Sequence, residues 1–250
     1  MIRGLYTAAN GMLYQRRKLD TIANNMANIY TPGYKKDTTV VRSFRDELVM
    51  RIEKGEADPV REIGHINHGV YIERIDTSFM DGNLEETNEL THLAIQGEGF
   101  FTVLTEDGVR YTRDGSFHID ENGLLVTAEG YPVAGVGGQA IQIGNQPFEV
   151  DRAGNIIIAG NVVNQVQLVS FNDPLGLQKV GDNLFISDPD NEAIEFQGEV
   201  FQGYLEASNV DPTDEMVSLI VAARSYESSQ RIVQMMDQVL GKAVNEVGKV

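Results

Sequence analysis

The sequence predicts an α+β protein in which amino- and carboxyl-terminal helices pair as a coiled coil and the middle of the chain forms a β-rich domain of sandwich or barrel type. Three observations carry this expectation. Ile2, Leu5, Ala9, Met12, Leu19, Ala23 and Met26 recur at helical spacing along the first segment. Met216, Leu219, Ala223, Tyr226, Val233, Met236, Leu240 and Ala243 largely repeat the pattern at the other end. Between them, runs of β-branched and aromatic residues alternate with glycine-rich turns, the rhythm of short antiparallel strands rather than of a parallel sheet with crossover helices. The expected organisation is a helix and turn over 1–34, a charged connector over 35–66, a β-rich domain over 67–204 and a second helix over 205–250.

The amino-terminal helix is intrinsically weak. Gly4 and Gly11 each cost about 1 kcal/mol relative to alanine, and Thr7 and Asn10 add little propensity. Thr31-Pro32-Gly33 then ends it, because proline removes a backbone donor and restricts the residue before it. Residues 35–66 carry a short apolar stripe in Phe44, Leu48, Val49 and Ile52, which fits a brief helix or an extended arm. We expect a mobile arm that orders on contact.

The β region begins with Phe100–Leu104, followed by Val109–Thr112, Ser116–Ile119 and Leu124–Val126. Asp107-Gly108 and Asp114-Gly115 each fit a tight turn that needs positive φ, and Asn122-Gly123 marks another. Later strands are expected at Ile141–Ile143, Phe148–Val150, Asn155–Ile158 and Val162–Phe171. The carboxyl-terminal helix has the best-defined start, with Asp211 as N-cap, Pro212 as first helical residue, and Asp214 and Glu215 near the positive helix end. A helix of some thirty residues would reach about 45 Å.

Composition closes several functional classes. With no cysteine in 250 residues there is no disulfide framework, thiol nucleophile or Cys-ligated metal. No apolar run reaches the ~18–20 residues of a membrane span, so no membrane insertion is expected. The polar residues Asn10, Gln15, Arg16 and Arg17 interrupt what would have to be the apolar core of a secretory signal. Basic residues outnumber acidic ones 10 to 5 over 1–54, whereas 55–204 carries 6 against 25 and 205–250 carries 4 against 7. An acidic body argues against nucleic acid as a partner, while a basic head beside acidic regions favours head-to-body or head-to-tail contacts.

Catalytic constellations are thin, and no catalytic, cofactor or metal residue is assigned. Gly97-Glu98-Gly99 and Gly135-Val136-Gly137-Gly138 lack the flanks of a phosphate loop and read as turns. His65 and His68 have no third ligand nearby, and Asp188, Asp190 and Asn191 lack the spacing of a calcium loop. Ser116 and His118 have no nucleophile elbow around them.

Three ordered blocks resemble one family. Met1–Met12 with Asn24-Asn25-Met26-Ala27-Asn28 and Thr31-Pro32-Gly33-Tyr34-Lys35 is similar to the amino-terminal motif of bacterial flagellar rod and hook proteins. Leu93–Phe101 with Tyr111–Phe117 resembles the middle of those proteins. Leu205–Asp211, Glu215-Met216-Val217 and Arg224-Ser225-Tyr226-Glu227 resemble their end. Thr91-His92 and Ala223 depart from the usual pattern.

The resemblance implies a structural, non-enzymatic subunit of the basal body that polymerises into a helical tube and transmits torque for motility. It also implies export through the flagellar type III apparatus without a cleaved signal, and neighbours among other rod and hook subunits. The assembly interface would be the two apolar seams, Ile2 to Met26 and Met216 to Leu240. Chain length points to a rod rather than a hook subunit. The competing readings are a β-rich binding module or a wall hydrolase, the latter needing a paired-carboxylate cleft.

Overall fold

The computed structural model describes residues 2–51, 61–67, 69–144 and 146–247. Two helices frame the chain, α1 (Ile2–Ala27) and α2 (Pro212–Lys242), the latter followed by a π-helical turn over Ala243–Val247. The strands of the first half are β1 (Asp37–Ser43), β2 (Glu47–Arg51), β3 (Arg61–Ile66), β4 (Val70–Thr77), β5 (Leu84–Glu86), β6 (Leu93–Gln96), β7 (Phe100–Thr105), β8 (Gly108–Thr112), β9 (His118–Ile119) and β10 (Leu125–Val126). Those of the second half are β11 (Phe148–Val150), β12 (Asn155–Ile158), β13 (Asn161–Gln165), β14 (Leu168–Phe171), β15 (Leu177–Lys179), β16 (Leu184–Ser187), β17 (Ala193–Glu195), β18 (Glu199–Gln202) and β19 (Tyr204–Glu206). This is the expected α+β class, with a helix at each end and a β-rich middle. Neither helix is long and apolar enough to cross a membrane.

The chain divides into two compact units. The first joins residues 1–26, 37–76 and 212–250; the second joins 27–36 and 77–211.

In the first unit the described part of the connector forms paired strands. Strand β1 lies beside β4, and β2 pairs antiparallel with β3, with Leu48 opposite His65. The β-branched run Thr38-Thr39-Val40-Val41 and Val70-Tyr71-Ile72 favour this extended form over the helix that Phe44, Leu48 and Val49 allow. Ile52 and His68 lie outside the described residues. The rings of Phe44 and Tyr71 meet at 5.1 Å, and Asn67 donates to the Phe44 carbonyl and to Asp46. Helices α1 and α2 approach at two points: Met236 covers Gly4, and a Cβ on Gly11 would sit 3.7 Å from Ser229 Oγ. Seven residues forward on α1 is seven backward on α2, so the two run antiparallel.

The second unit is built on a six-stranded sheet in the order β15-β16-β8-β7-β14-β17, every neighbouring pair antiparallel. Strand β7 is buried on both faces. Phe101 and Val103 face one core with Leu93, Ile95, Phe117 and Leu125, whereas Phe100 faces another with Phe171, Leu177 and Phe185. Alternating side chains thus enter separate cores, as the twofold period of a strand requires. Phe101 meets Phe117 edge-on at 5.0 Å, and Phe100 meets Phe185 at 5.7 Å.

Two turn expectations separate here. Asp107-Gly108 does make the β7–β8 hairpin, with Gly108 at φ 117° just after the two-residue turn. Asp114-Gly115 makes no hairpin. Gly115 instead lets the Leu93 carbonyl pass against its Cα, where any side chain would collide, and its own carbonyl accepts from Leu93 N at 3.0 Å. The run Val162–Phe171 is likewise two strands, β13 and β14, broken where Val166 bridges Gly135.

Candidate assembly interface

The helical seam begins with which α1 and α2 positions are covered. On α1, Leu5, Ala9, Met12, Leu19 and Met26 are half-buried, but Ala23 is exposed. Ile2 opens the helix, and its side chain lies outside the described set. On α2, Leu219, Ala223, Tyr226, Val233, Met236 and Leu240 are half-buried, whereas Met216 is exposed. The covered line on α2 runs Glu215, Leu219, Ala222, Tyr226, Ser229, Val233, Met236, Leu240, alternating steps of four and three. On α1 the matching line is Gly4, Ala8, Gly11, Gln15, Lys18, Ile22, Asn25.

Sequence reasoning missed the middle of that line because it is small or polar. Glycines that weaken an isolated helix serve here as sites of close approach. Asn25, buried near the end of α1, also anchors the chain that leaves it. Its Nδ2 donates to the Asp37 carbonyl at 2.9 Å, and its Oδ1 accepts from Asp37 N at 3.0 Å.

A second constellation lies in the second unit, where the three sequence blocks converge. Lys35 from the first, Arg113 from the second and Glu206 from the third all have side chains only 1% exposed. Lys35 Nζ lies 2.6 Å from Glu206 Oε1, and Arg113 NH1 lies 3.2 Å from Glu206 Oε2. Asp81, half in solvent, stands 3.5 Å from Arg113. The group is thus two cations and two carboxylates. Lys35 also donates to the Met80 carbonyl, and Arg113 NH2 donates to the Gly97 carbonyl. Burial is the largest influence on Lys35 and lowers its pKa, with Glu206 opposing that shift. Removing one member of such a set strands the others without compensation.

Asn209 closes the clamp. Its Oδ1 accepts from Lys36 N at 2.7 Å, while its Nδ2 donates to the carbonyls of Ser78 and Met80. Gly33, at φ 64°, admits the backbone of Arg113 where a Cβ would collide. The sequence signal for all this was present: charged and amide residues embedded in otherwise apolar or glycine-rich blocks.

The residues weighed for chemistry have ordinary occupations. Ser116 Oγ donates to Asp114 Oδ1 at 2.6 Å, His118 is exposed on β9, and His65 is exposed on β3. Asn191 bonds back to Asp173 and to Asp188, closing a turn. Among the described residues no group of three or more His, Asp or Glu is placed to hold a metal ion.

Fold and site define a class: a protein whose two terminal helices share one compact unit with strands β1–β4, and whose second unit is a β-rich body holding a buried charge cluster. The comparisons with known proteins place it within that class. The model for flagella basal body rod proteins matches residues 5–35, that for the flagellar hook protein FlgE/F/G D1 domain matches 94–163, and that for the carboxyl-terminal part of flagellar basal body rod FlgEFG proteins matches 202–246. The chain is 34% identical to the flagellar basal-body rod protein FlgG of Borreliella burgdorferi over 98% of each. It is 33% identical to the flagellar hook-basal body complex protein FlhO of Bacillus subtilis over the full length of both. Identity to the flagellar basal-body rod protein FlgF of Caulobacter vibrioides is 34%, again over both full lengths. The chain belongs to the flagellar basal-body rod and hook protein family.

Proposed function

We propose that this protein is a structural subunit of the flagellar basal-body rod, and that it polymerises through its terminal helices. The observation that carries the reading is end-to-end similarity to rod proteins, matched in three separate blocks that include both helices. The rod relatives are the FlgG and FlgF types, so the chain is a distal rod protein or its proximal-rod paralogue, with a hook subunit as the alternative. Its partners are further copies of itself and neighbouring rod and hook subunits. It acts as a passive transmitter of torque, not an enzyme, and it reaches the basal body through the flagellar export apparatus.

Coiled-coil pairing of the terminal helices belongs to this proposal. The covered lines on α1 and α2 each step by four and three, and the Gly4–Met236 and Gly11–Ser229 approaches keep heptad register. The test is assembly of the purified full-length chain, followed by sedimentation and negative-stain microscopy, beside complementation of a strain lacking it. Rod-like polymers and restored swimming are expected. Discrete soluble oligomers, with swimming unaffected by the deletion, would overturn the proposal in favour of a binding module.

A further inference from the structure

The seam covered within one chain leaves a second apolar stripe on α2 facing outward. Ile232, Met235 and Val239 are 38%, 57% and 51% exposed and stand at i, i+3 and i+7, the spacing of anchors on a helix that enters a groove. Val217, Ile220 and Val221 continue the stripe toward the start of α2. The first unit also contains a groove of about 460 Å³, lined on α1 by Leu13, Tyr14 and Arg17 and on the strands by Val70, Tyr71 and Ile75 among others. Leu13 is 60% exposed there. One molecule therefore carries two different apolar surfaces, and a contact between unlike surfaces is head-to-tail, giving a ring or an open helical polymer rather than a two-fold dimer.

Charge selects the occupant. Arg17 and Asp20 lie three apart on the outer face of α1; Arg224 and Glu227 lie three apart at the margin of the α2 stripe. All four are exposed, and none of their side chains forms an ion pair among the described residues. When the outer face of α1 meets the α2 stripe antiparallel, Arg17 faces Glu227 and Asp20 faces Arg224. The same register sets Leu13 level with Arg231, beside Ile232. A parallel alignment that sets Arg17 against Arg224 sets Asp20 against Glu227, and both pairs repel.

Resting on the rod reading, we propose that the α1 groove of one copy receives the outer stripe of α2 from a second copy, antiparallel, with Arg17–Glu227 and Asp20–Arg224 as its specifying pairs. The inner seam then holds each chain together, and the outer stripe joins chains. Residues such as Leu219 and Met236 shape the helical unit; Ile232, Met235 and Val239 make the polymer contact.

The native chain has no cysteine, so the test is clean. A Leu13→Cys chain is mixed with an Arg231→Cys chain under assembly conditions and oxidised. A disulfide between the two is expected, because it needs the Cβ atoms within about 4.5 Å. Arg17→Glu or Glu227→Arg alone should lower its yield about fivefold or more, and the two reversals together should restore it. Wild-type polymers with no Leu13–Arg231 disulfide, or no rescue by the double reversal, would overturn the pairing while leaving the rod reading intact. A full disulfide yield and rescue, in a chain whose deletion leaves the rod complete, would uphold the pairing and remove the rod reading instead.

Discussion

At the residue scale the most consequential side chain is Glu206, which answers two buried cations at once. Glu206→Gln leaves Lys35 and Arg113 without their shared buried counter-charge, with a loss of about 3–5 kcal/mol expected. Urea unfolding followed by tyrosine fluorescence measures it, and a loss under 1 kcal/mol would show that the clamp is energetically idle. Gly33→Ala is expected to destabilise as well, by more than the ~1 kcal/mol of an ordinary glycine substitution, because its φ of 64° and the Arg113 backbone both exclude a Cβ. The pH response follows from groups with shifted pKa. Leu124 N and Asn122 donate to Asp120, and Asn155 and Ala153 donate to Asp151; these bonds hold both carboxyls below their ordinary range. A carboxylate so depressed lends stability above its unfolded pKa and loses it as pH falls through the folded value. Asp114 works in the opposite sense, since burial raises its pKa and acid therefore favours the fold there. Asp151→Asn should accordingly flatten the decline in stability on acidification, measured by thermal melts across the acid range, and an unchanged acid limb would contradict the assignment. The sequence shows these charged and amide residues within its blocks but not what each one meets. A buried lysine and a solvent-facing one have the same letter, and only the convergence of three distant blocks distinguishes Lys35.

At the scale of elements, what the sequence showed and what it hid follow from range. Helix α2 was legible because its start signals are local: Asp211, Pro212 and the acidic first turn sit side by side, and the helix does begin at Pro212. Strands β7 and β8 were legible for the same reason, as β-branched runs on either side of a turn. The sequence left the connector open between a brief helix and an extended arm because Phe44, Leu48 and Val49 satisfy either period, and among the described residues the pairing of β2 with β3 and of β1 with β4 selects extended chain at long range. Asp114-Gly115 resembled a turn because local sequence cannot report that Leu93 passes against it. The seam was half visible, since apolar positions reveal periodicity and glycine, serine and glutamine do not. One consequence is measurable. Gly11→Ala should stabilise α1 by about 0.5–1 kcal/mol, as its Cβ would sit 3.7 Å from Ser229 Oγ in ordinary contact. Far-ultraviolet melts of full-length protein read this, and destabilisation would mean that the helices lie closer than the geometry allows. Leu219→Asp, by contrast, should disrupt the helical unit while the six-stranded sheet stays folded, which near-ultraviolet circular dichroism and limited proteolysis distinguish.

At the scale of the molecule, charge divides as function would have it. The second unit carries 22 acidic residues against 6 basic ones, whereas the first is nearly balanced at 15 against 14. An acidic, turn-rich body resists unspecific association, and in the assembly proposed above the balanced first unit supplies the apolar faces and charges that direct contact. Because α1 contains Gly4 and Gly11 and carries exposed Tyr6 and Leu13, the free monomer should protect its terminal helices less than the polymer does. Amide exchange over residues 5–26 in both states checks this, and equal, strong protection would sink it. Most direct of all is electron cryomicroscopy of basal bodies isolated from cells with and without this chain. The account predicts a rod that is truncated and hookless without it, and, with it, density in which terminal helices line the rod wall and pack against those of neighbouring copies. A complete rod and hook in its absence would contradict the account at its centre.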